Sequence, residues 1–239
     1  MTLREALNEA TQRLASVSDT PRLDAELLLA HALGLSREAL LLGTLDAPQP
    51  AAFDDLVARR AAHEPIGYIT GRRDFWTLSL AVAPGVLIPR PDSETLIEAA
   101  VDYFGSSTRG GHGPSRILDL GTGSGALLLA ALAEWPEAQG LGIDASDIAL
   151  EIAHANARRL GLASRAQFRK GNWASALSER FDLILCNPPY VELDADLPAD
   201  VKGYEPQSAL FAGADGLDAY RHLIPQLPSL LNPFGMIAV

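Results

Sequence analysis

The sequence predicts an α/β fold in which a mostly parallel sheet, covered by helices, follows a small bundle of helices. Two observations carry this prediction. Apolar residues recur at helical spacing through the first part of the chain, to about residue 74. From residue 116 onward, short apolar strand patterns alternate with helix patterns, which is typical of a parallel sheet with helices on both faces.

The N-terminal region, residues 1–74, reads as several short helices joined by short connections, as in a small bundle. Thr20-Pro21 is typical of a helix start, with a capping hydroxyl followed by proline at the first helical position. Gly34 marks a helix end, and Ser36 is suited to cap the next helix. A further helix is expected over residues 51–62.

Residues 75–92 are expected to form a linker that contains a short hairpin, because residues 75–86 partly alternate and include strand formers. The region 93–239 then forms the second predicted domain. Its expected elements are a helix at 93–104, a Gly/Ser-rich loop at 105–114, and then strand 116–120, helix 124–134, strand 139–143, helix 146–160, strands 166–169 and 181–186, helix 216–230 and strand 235–239.

The last strand pattern is followed by nothing, and a bare terminal strand leaves an open sheet edge. We therefore expect the sequence to be truncated at its C-terminus. The opening residues MTLREALNEATQRL lack the basic and apolar regions of a secretory signal, so no signal peptide is expected.

Composition limits the compartment and the partners. Cys186 is the only cysteine, which excludes an internal disulfide and fits a reducing cytoplasm. No apolar stretch approaches the roughly 20 residues of a membrane span. The net charge is −11, and residues 181–239 hold only Lys202 and Arg221 against eight acids. Proteins that hold nucleic acid usually present a basic surface, so direct nucleic-acid binding is not expected.

A glycine-rich loop, Asp119-Leu120-Gly121-Thr122-Gly123-Ser124-Gly125, joins the first strand of the sheet to a helix. Its glycines permit a tight turn and close approach of a ligand to the backbone. A dinucleotide site would show G-x-G-x-x-G and no acid beside a pyrophosphate. The acid Asp119 instead suits the ammonium group of S-adenosylmethionine. The alternative is a tight strand–helix turn without a ligand.

Three residues at the next strand ends support a cofactor site. Asp144 ends the second strand of the sheet and can accept hydrogen bonds from both ribose hydroxyls. Asn172 follows the third strand, where its amide could bind the adenine edge. Trp173 beside it could stack on the adenine ring or pack in the core.

A second polar loop, Asn187-Pro188-Pro189-Tyr190, follows the buried strand at 181–186. Two prolines stiffen the backbone and leave carbonyl acceptors without N–H donors. Together with the Asn187 side-chain oxygen, these carbonyls can receive the hydrogens of a planar –NH₂ group and orient its nitrogen for methyl transfer. Tyr190 could stack on a flat substrate group. A stiff turn without a function is the alternative for these residues.

No general base is evident for this chemistry. His154 lies in a predicted helix, and His63 and His222 fall outside the two loops. The substrate proton can leave after methyl transfer, so none is required. The acids Asp194, Asp196 and Asp200 are read as a solvated loop, and no metal site is expected.

The motifs DLGTGSG and NPPY resemble those of methyltransferases that modify planar nitrogens. Further segments narrow the resemblance to the HemK/PrmC family: EPIGYITG (64–71), VLIPRPDSE (86–94), YEP (204–206) and GADGL (213–217). This family methylates the side-chain amide of the glutamine in the GGQ motif of peptide chain release factors. The resemblance extends over essentially the whole chain, and Ser93 stands where threonine is usual.

The resemblance implies a Rossmann-like S-adenosylmethionine-dependent methyltransferase sheet preceded by a helical substrate-recognition domain. It implies that Asn187, Pro188, Pro189 and Tyr190 hold the substrate amide. It also implies that Gly121, Gly123, Asp144 and Asn172 line the cofactor site. The full set of candidate cofactor residues adds Asp119, Thr122, Gly125, Trp173 and Asn187. The 86–94 segment would border this site, although Arg90 and Glu94 could equally form a structural ion pair and a helix cap.

The leading hypothesis is therefore a cytoplasmic, monomeric glutamine methyltransferase that acts on release factors. Three alternatives stay open: glutamine methylation of a ribosomal protein, amino-methylation of a base in rRNA or DNA, and a binding module that keeps the fold without turnover.

Overall fold

The chain divides into two units in the computed structural model, which describes residues 1–105, 113–175 and 177–239. Unit 1 contains Met1–Gly71 and Leu197–Tyr204, and unit 2 contains Arg72–Asp196 and Glu205–Val239. Most of the loop predicted at 105–114 lies outside the described residues. The segment 197–204 belongs to unit 1 although both of its flanks belong to unit 2.

Unit 1 is a bundle of short helices, as predicted. The helices are α1 (Leu3–Leu14), α2 (Pro21–Leu33), α3 (Arg37–Leu42), α4 (Phe53–Ala61) and α5 (Ile66–Thr70), joined later in the chain by α9 (Ala199–Tyr204). Their apolar faces meet around buried side chains that include Leu7, Leu28 and Val57. Burial of these faces, rather than helix propensity, accounts for the stability of such short helices.

The predicted helix ends in unit 1 agree only in part, because the helix expected at 51–62 spans Phe53–Ala61 and α5 was not singled out from the sequence. Ser36 caps α3 by accepting a hydrogen bond from the Ala39 N–H, and Gly34 ends α2 in the left-handed conformation with φ +68°. Thr20 precedes α2 but makes no capping bond with its side chain. Arg60 and Asp24 form a buried ion pair with an N–O distance of 2.8 Å, which binds α4 to α2.

Unit 2 begins with an antiparallel hairpin of β1 (Arg72–Phe75) and β2 (Leu78–Ala81). The hairpin thus starts earlier and is shorter than the predicted segment 75–86. Residues beyond Ala81 do not continue the ladder, because the side chain of Asn156 binds both the N–H and the carbonyl of Ala81. The apolar pattern after that point reflects burial of Val82, Val86 and Ile88 without pairing.

The main sheet contains β3 (Arg116–Leu120), β4 (Gln139–Asp144), β5 (Ala166–Lys170), β6 (Phe181–Cys186) and β7 (Leu231–Ala238). Their order is β5-β4-β3-β6-β7, and every neighbouring pair is parallel. The helices of this unit are α6 (Glu94–Gly105), α7 (Ala126–Glu134), α8 (Asp147–Arg159), α10 (Asp218–Leu223) and α11 (Leu227–Leu230). The α/β prediction is confirmed.

The sheet is buried on both faces. Ile117, Leu183 and Leu185 belong to one apolar cluster, and Leu118 and Ile184 belong to the other. Successive side chains of a strand point to opposite faces, so a strand buried on both faces reads as a continuous apolar run. This explains why FDLILC could be recognised as a central strand from the sequence.

The C-terminal part differs from the prediction in two places. The expected helix 216–230 is divided into α10, a 3₁₀ turn at Ile224–Gln226 and α11, since Pro225 and Pro228 lack the N–H that a continuous helix needs. The expected strand 235–239 begins at Leu231, where it already pairs with Phe181, and the pairing then shifts register towards Leu183. Among the described residues, no helix has the length and apolar character to cross a membrane.

Candidate functional site

A cavity of about 500 Å³ lies in unit 2 at the carboxyl ends of the strands. The order of strands reverses between β3 and β6, with β4 and β5 on one side and β7 on the other. Open α/β sheets bind ligands at such a switch point. Residues of the two predicted loops line the cavity together: Gly121, Thr122, Gly123, Asp144, Asn172, Trp173, Asn187 and Pro189.

The glycine loop is shaped by its backbone. Gly121 and Gly123 have φ values of +73° and +55°, which L-residues with a side chain rarely adopt. The N–H groups of Gly121 and Thr122 both donate to the carbonyl of Ile143, at 2.9 and 3.0 Å. The loop is therefore fixed to the end of β4, and its glycines present bare backbone to the cavity.

Asp144 fixes the same loop from the second strand end. Its Oδ2 accepts a hydrogen bond from the Gly123 N–H at 2.8 Å, and its Oδ1 accepts one from the Ser146 N–H at 2.9 Å. Each carboxylate oxygen has a further lone pair. Asp144 lines the cavity, so it can accept hydrogen bonds from a ligand while it holds the loop.

Asp119 is placed differently from the other predicted residues. It is 1% exposed and does not line the cavity. Its Oδ2 accepts hydrogen bonds from the Thr122 hydroxyl at 2.6 Å and the Leu128 N–H at 3.3 Å, while its Oδ1 is buried without a partner. Burial raises the pKa of this carboxyl to about 7. Asp119 thus supports the loop from beneath.

Asn172 and Trp173 follow β5 and both line the cavity. Trp173 has a positive φ of +52°, an uncommon conformation for a bulky residue. A side chain on Gly121 would lie 3.3 Å from the ring of Trp173, and the indole also packs against the apolar cluster beneath the sheet. Both alternatives given for Trp173, contact with a ligand and packing in the core, agree with this position.

Asn187 stands where two cavities meet. It lines the main cavity and also a recess of about 30 Å³, whose walls include Pro188, Tyr190 and Val191. The Nδ2 of Asn187 donates to the Ser93 hydroxyl at 3.0 Å. In the described part of the chain, neither Asn187 Oδ1 nor the Pro188 carbonyl accepts a hydrogen bond. Two acceptors on adjacent residues are therefore available.

The segment before α6 also borders the cavity, as expected from the resemblance, through Leu87, Pro89, Arg90 and Ser93. The alternative given for Arg90 and Glu94, a structural ion pair and a helix cap, holds only for the ion pair of Arg90, whose partner is not Glu94. Arg90 instead forms an ion pair with Glu205 at 2.6 Å, and Glu94 accepts a hydrogen bond from the Trp76 N–H. Glu205 is buried whereas Glu94 is only half-buried, so Glu205 has the greater need of a cation.

Two residues of the site were not singled out from the sequence. Asn156 is fully buried and binds the carbonyl of Ser124, so one amide joins the glycine loop to the hairpin. Glu205 was named only as part of the YEP motif at 204–206. Asn156 occupies a helix position that should face the core. This pattern could have identified it, because a buried polar side chain requires hydrogen-bond partners.

Tyr190 is 56% exposed at the outer end of the loop. His154 lies away from the cavity with its ring against Phe168. Among the described residues, no group of His, Cys, Asp and Glu has the arrangement of a metal site. Burial raises the pKa of the Cys186 thiol well above its usual range, so this residue is an inert apolar group at the end of β6.

Two family models match the chain. The model described as PrmC N-terminal domain matches residues 5–71, and the model described as Methyltransferase domain matches residues 112–239. The boundary of the first match coincides with the end of the first segment of unit 1 at Gly71.

Curated relatives resemble the chain over nearly its whole length. The release factor glutamine methyltransferase of Rhodospirillum rubrum is 49% identical over 227 residues, covering 92% of this chain and 68% of the relative. The protein of the same name from Caulobacter vibrioides is 42% identical and covers 100% of this chain and 83% of its own length.

Among solved structures, the hMettl16 catalytic domain in complex with the MAT2A 3′UTR hairpin 6 is similar in fold. The TM-score is 0.54 at 19% identity, over 85% of this chain and 75% of that chain. At this identity the likeness concerns the fold alone.

Proposed function

The chain belongs to the family of release factor glutamine methyltransferases, and on that basis we propose that it methylates the glutamine side-chain amide in the GGQ motif of peptide chain release factors, with S-adenosyl-L-methionine as methyl donor. The membership confirms the resemblance drawn from the two loops. The observation that carries the proposal is the pair of available acceptors on adjacent residues, Asn187 Oδ1 and the Pro188 carbonyl; Asn187 lines both cavities and Pro188 lines the recess.

The main cavity fits the cofactor. Its volume of about 500 Å³ lies within the range of small-molecule and cofactor sites. Asp144 gives it a negatively charged wall beside bare glycine backbone, which suits a cationic ligand and opposes a pyrophosphate. We infer that Gly121, Thr122, Gly123, Asp144, Asn172 and Trp173 hold the cofactor. When bound, S-adenosylmethionine supplies an electrophilic methyl group.

We infer that Asp119 and Gly125 serve the cofactor through the shape of the loop. The pairing of Asp119 with the cofactor ammonium stays a prediction. The unpartnered Oδ1 and the raised pKa show a carboxyl that would gain from a nearby cation. Its burial argues that such a cation acts through space or through Thr122.

The substrate amide nitrogen is a poor nucleophile because its lone pair is delocalised into the carbonyl group. Asn187 Oδ1 and the Pro188 carbonyl can each accept one N–H of the substrate amide and orient its nitrogen towards the main cavity. Bonds to both hydrogens strengthen as positive charge develops on the nitrogen during transfer. Pro189 stiffens the loop, and Tyr190 is placed to contact the substrate chain. The excess proton leaves afterwards to solvent.

We further propose that the helical residues 1–74 contribute to recognition of the release factor, since this region matches the PrmC N-terminal domain model. The acidic character of residues 181–239 favours a protein substrate over direct nucleic-acid binding. We also propose that the protein is a monomer and acts in the reducing cytoplasm. Glutamine methylation of a ribosomal protein or amino-methylation of a base would use the same acceptors, and the substrate offered distinguishes them.

The test is intact-mass spectrometry of an unmethylated release factor incubated with the protein and S-adenosylmethionine, followed by peptide mapping. We expect a single added methyl group on the GGQ glutamine. A methyl group on another residue would refute the proposed site. Transfer to ribosomal protein or to RNA, with none to the release factor, would favour the corresponding alternative.

A further inference from the structure

The side-chain amide of Asn187 is held by a hydroxyl group from a distant part of the sequence. Its Nδ2 donates to Ser93 Oγ at 3.0 Å, although the two residues are 94 positions apart. An amide has one donor end and one acceptor end. A partner that receives a hydrogen bond from Nδ2 therefore leaves Oδ1 for a ligand.

Ser93 is itself held firmly at the cavity wall. Its N–H donates to the Arg90 carbonyl at 3.1 Å. The guanidinium of Arg90 binds Glu205 Oε1 at 2.6 Å, and Glu205 Oε2 accepts the Ile88 N–H at 3.2 Å. Glu205 is only 5% exposed, so one buried carboxylate holds the segment 88–93 at two points. The hydroxyl of Ser93 thus has a defined position.

Orientation of the Asn187 amide matters for the reaction proposed above. With Oδ1 towards the substrate, the amide accepts a substrate N–H. If it turned over, Nδ2 would face the substrate –NH₂ group, and two donors would meet without an acceptor, which costs more than a missing bond between neutral groups. A serine hydroxyl can donate as well as accept, so Ser93 does not by itself select an orientation. It anchors the amide at the cavity wall, and the substrate –NH₂ group then favours the orientation with Oδ1 towards it.

We propose that Ser93 is a positioning residue for methyl transfer, because its hydroxyl anchors the Nδ2 end of the Asn187 amide and leaves Oδ1 to accept the substrate N–H. The inference rests on the proposed function. It requires a hydroxyl at position 93 and not a particular side-chain size. Threonine should therefore replace serine, and alanine should not.

The kinetic test compares Ser93→Ala and Ser93→Thr with the wild-type protein, using an unmethylated release factor and S-adenosylmethionine. We expect Ser93→Ala to lower kcat about tenfold while KM for both substrates changes less than about twofold. Ser93→Thr should keep kcat within about threefold of the wild type. Ser229→Ala, an exposed serine on α11, is the matched control.

A second measurement reports the contact between Asn187 Nδ2 and Ser93 without any turnover. In protein labelled with ¹⁵N-asparagine, the Asn187 –NH₂ signals are assigned by their absence in Asn187→Asp. We expect one Nδ2 proton to be shifted downfield in the wild type and in Ser93→Thr, and to move towards the position of a solvated amide in Ser93→Ala. Affinity for S-adenosylhomocysteine, measured by calorimetry, should be equal in all three proteins.

The outcomes separate this inference from the proposed function. Wild-type kcat in Ser93→Ala, an unchanged Asn187 signal in that variant, or equal loss of activity in Ser93→Thr would each overturn the role of Ser93. Weakened S-adenosylhomocysteine binding in Ser93→Ala would indicate a structural role instead and would overturn it as well. The wild type could fail to methylate the release factor while the Asn187 amide signal still responds to Ser93 as expected. That result would support the contact between Ser93 and Asn187 and refute the release factor as substrate.

Discussion

The Thr122 hydroxyl donates a hydrogen bond of 2.6 Å to Asp119 Oδ2, directly beneath the loop that carries Gly121 and Gly123. The carboxyl has little access to solvent, and its other oxygen has no partner. A charged group in this position costs free energy, because burial removes hydration that one hydroxyl and one N–H replace only in part.

The first prediction concerns the stability of Asp119→Asn as a function of pH. Burial raises the pKa of Asp119 from 3.8 to about 7 in the folded protein, so the folded state binds the proton more tightly than the unfolded chain. Stability from this group is present below the unfolded pKa and is lost as pH rises towards 7. An uncharged, nearly isosteric asparagine avoids that loss.

Thermal unfolding of both proteins at about pH 5 and about pH 8 tests this prediction. Between these pH values, the wild type should lose on the order of 1–3 kcal/mol of stability relative to Asp119→Asn. The melting temperature of Asp119→Asn relative to the wild type should be higher at the higher pH. A difference between the two proteins that stays constant with pH would show that Asp119 is ionised throughout.

The second prediction concerns Asn187→Ala, which removes one of the two acceptors proposed for the substrate amide. Turnover should fall at least about a hundredfold, equivalent to roughly 3 kcal/mol of transition-state stabilisation. The affinity for S-adenosylhomocysteine should change little, because the cofactor keeps its other contacts. Asn232→Ala, on β7 and outside the cavity, is the control. Turnover near the wild-type value would exclude the proposed role of the Asn187 amide.

The third prediction compares Asp144, at the end of β4, with Asp147, three residues further on. Asp144→Ala should weaken binding of S-adenosylhomocysteine by about tenfold or more, since it removes the proposed ribose acceptor and the bond to the Gly123 N–H. Asp147→Ala removes an exposed acid that pairs with Lys170 and should bind the ligand as the wild type does. Equal dissociation constants for Asp144→Ala and the wild type, by calorimetry, would refute the ribose contact.

The fourth prediction uses two glycines with the same backbone requirement. Gly123 and Gly161 both have positive φ, and a Cβ atom at either would meet no other atom within 4 Å. Alanine at either position should cost about 1 kcal/mol of stability. Only Gly123 lines the cavity, so only Gly123→Ala should weaken S-adenosylhomocysteine binding. Similar affinities of Gly123→Ala and Gly161→Ala would indicate that the ligand does not approach this part of the loop.

Local patterns were sufficient to predict much of the fold. Strand β6 is recognisable because its residues are apolar on both faces, and the start of α3 because Ser36 offers a capping oxygen. The helix expected at 216–230 was drawn through Pro225 and Pro228, and the structure follows the constraint of proline rather than the apolar spacing. The placement of both loops around one cavity could also be predicted, since parallel strands bring their carboxyl ends to one edge of the sheet.

Contacts between distant residues could not be predicted in this way. No local pattern reveals that Ser93 receives the Asn187 Nδ2, or that Arg90 pairs with Glu205 instead of Glu94. The burial of Asp119 also depends on how α7 packs against β3, which sets whether its carboxyl faces the cavity or the interior. A sequence position specifies the chemistry of a side chain, whereas its direction depends on tertiary packing.

The connectivity of unit 1 has a consequence for protein synthesis. Its last segment, Leu197–Tyr204, contributes a hydrogen bond from the Tyr204 hydroxyl to the Ala62 carbonyl and places Asp200 3.5 Å from Arg60. A nascent chain therefore cannot complete its first unit until residues 72–196 have left the ribosome. Until then Arg60 pairs with Asp24 but not with Asp200. A fragment that ends at Gly71 lacks Asp200 altogether, so its Arg60 has only the first of these two partners.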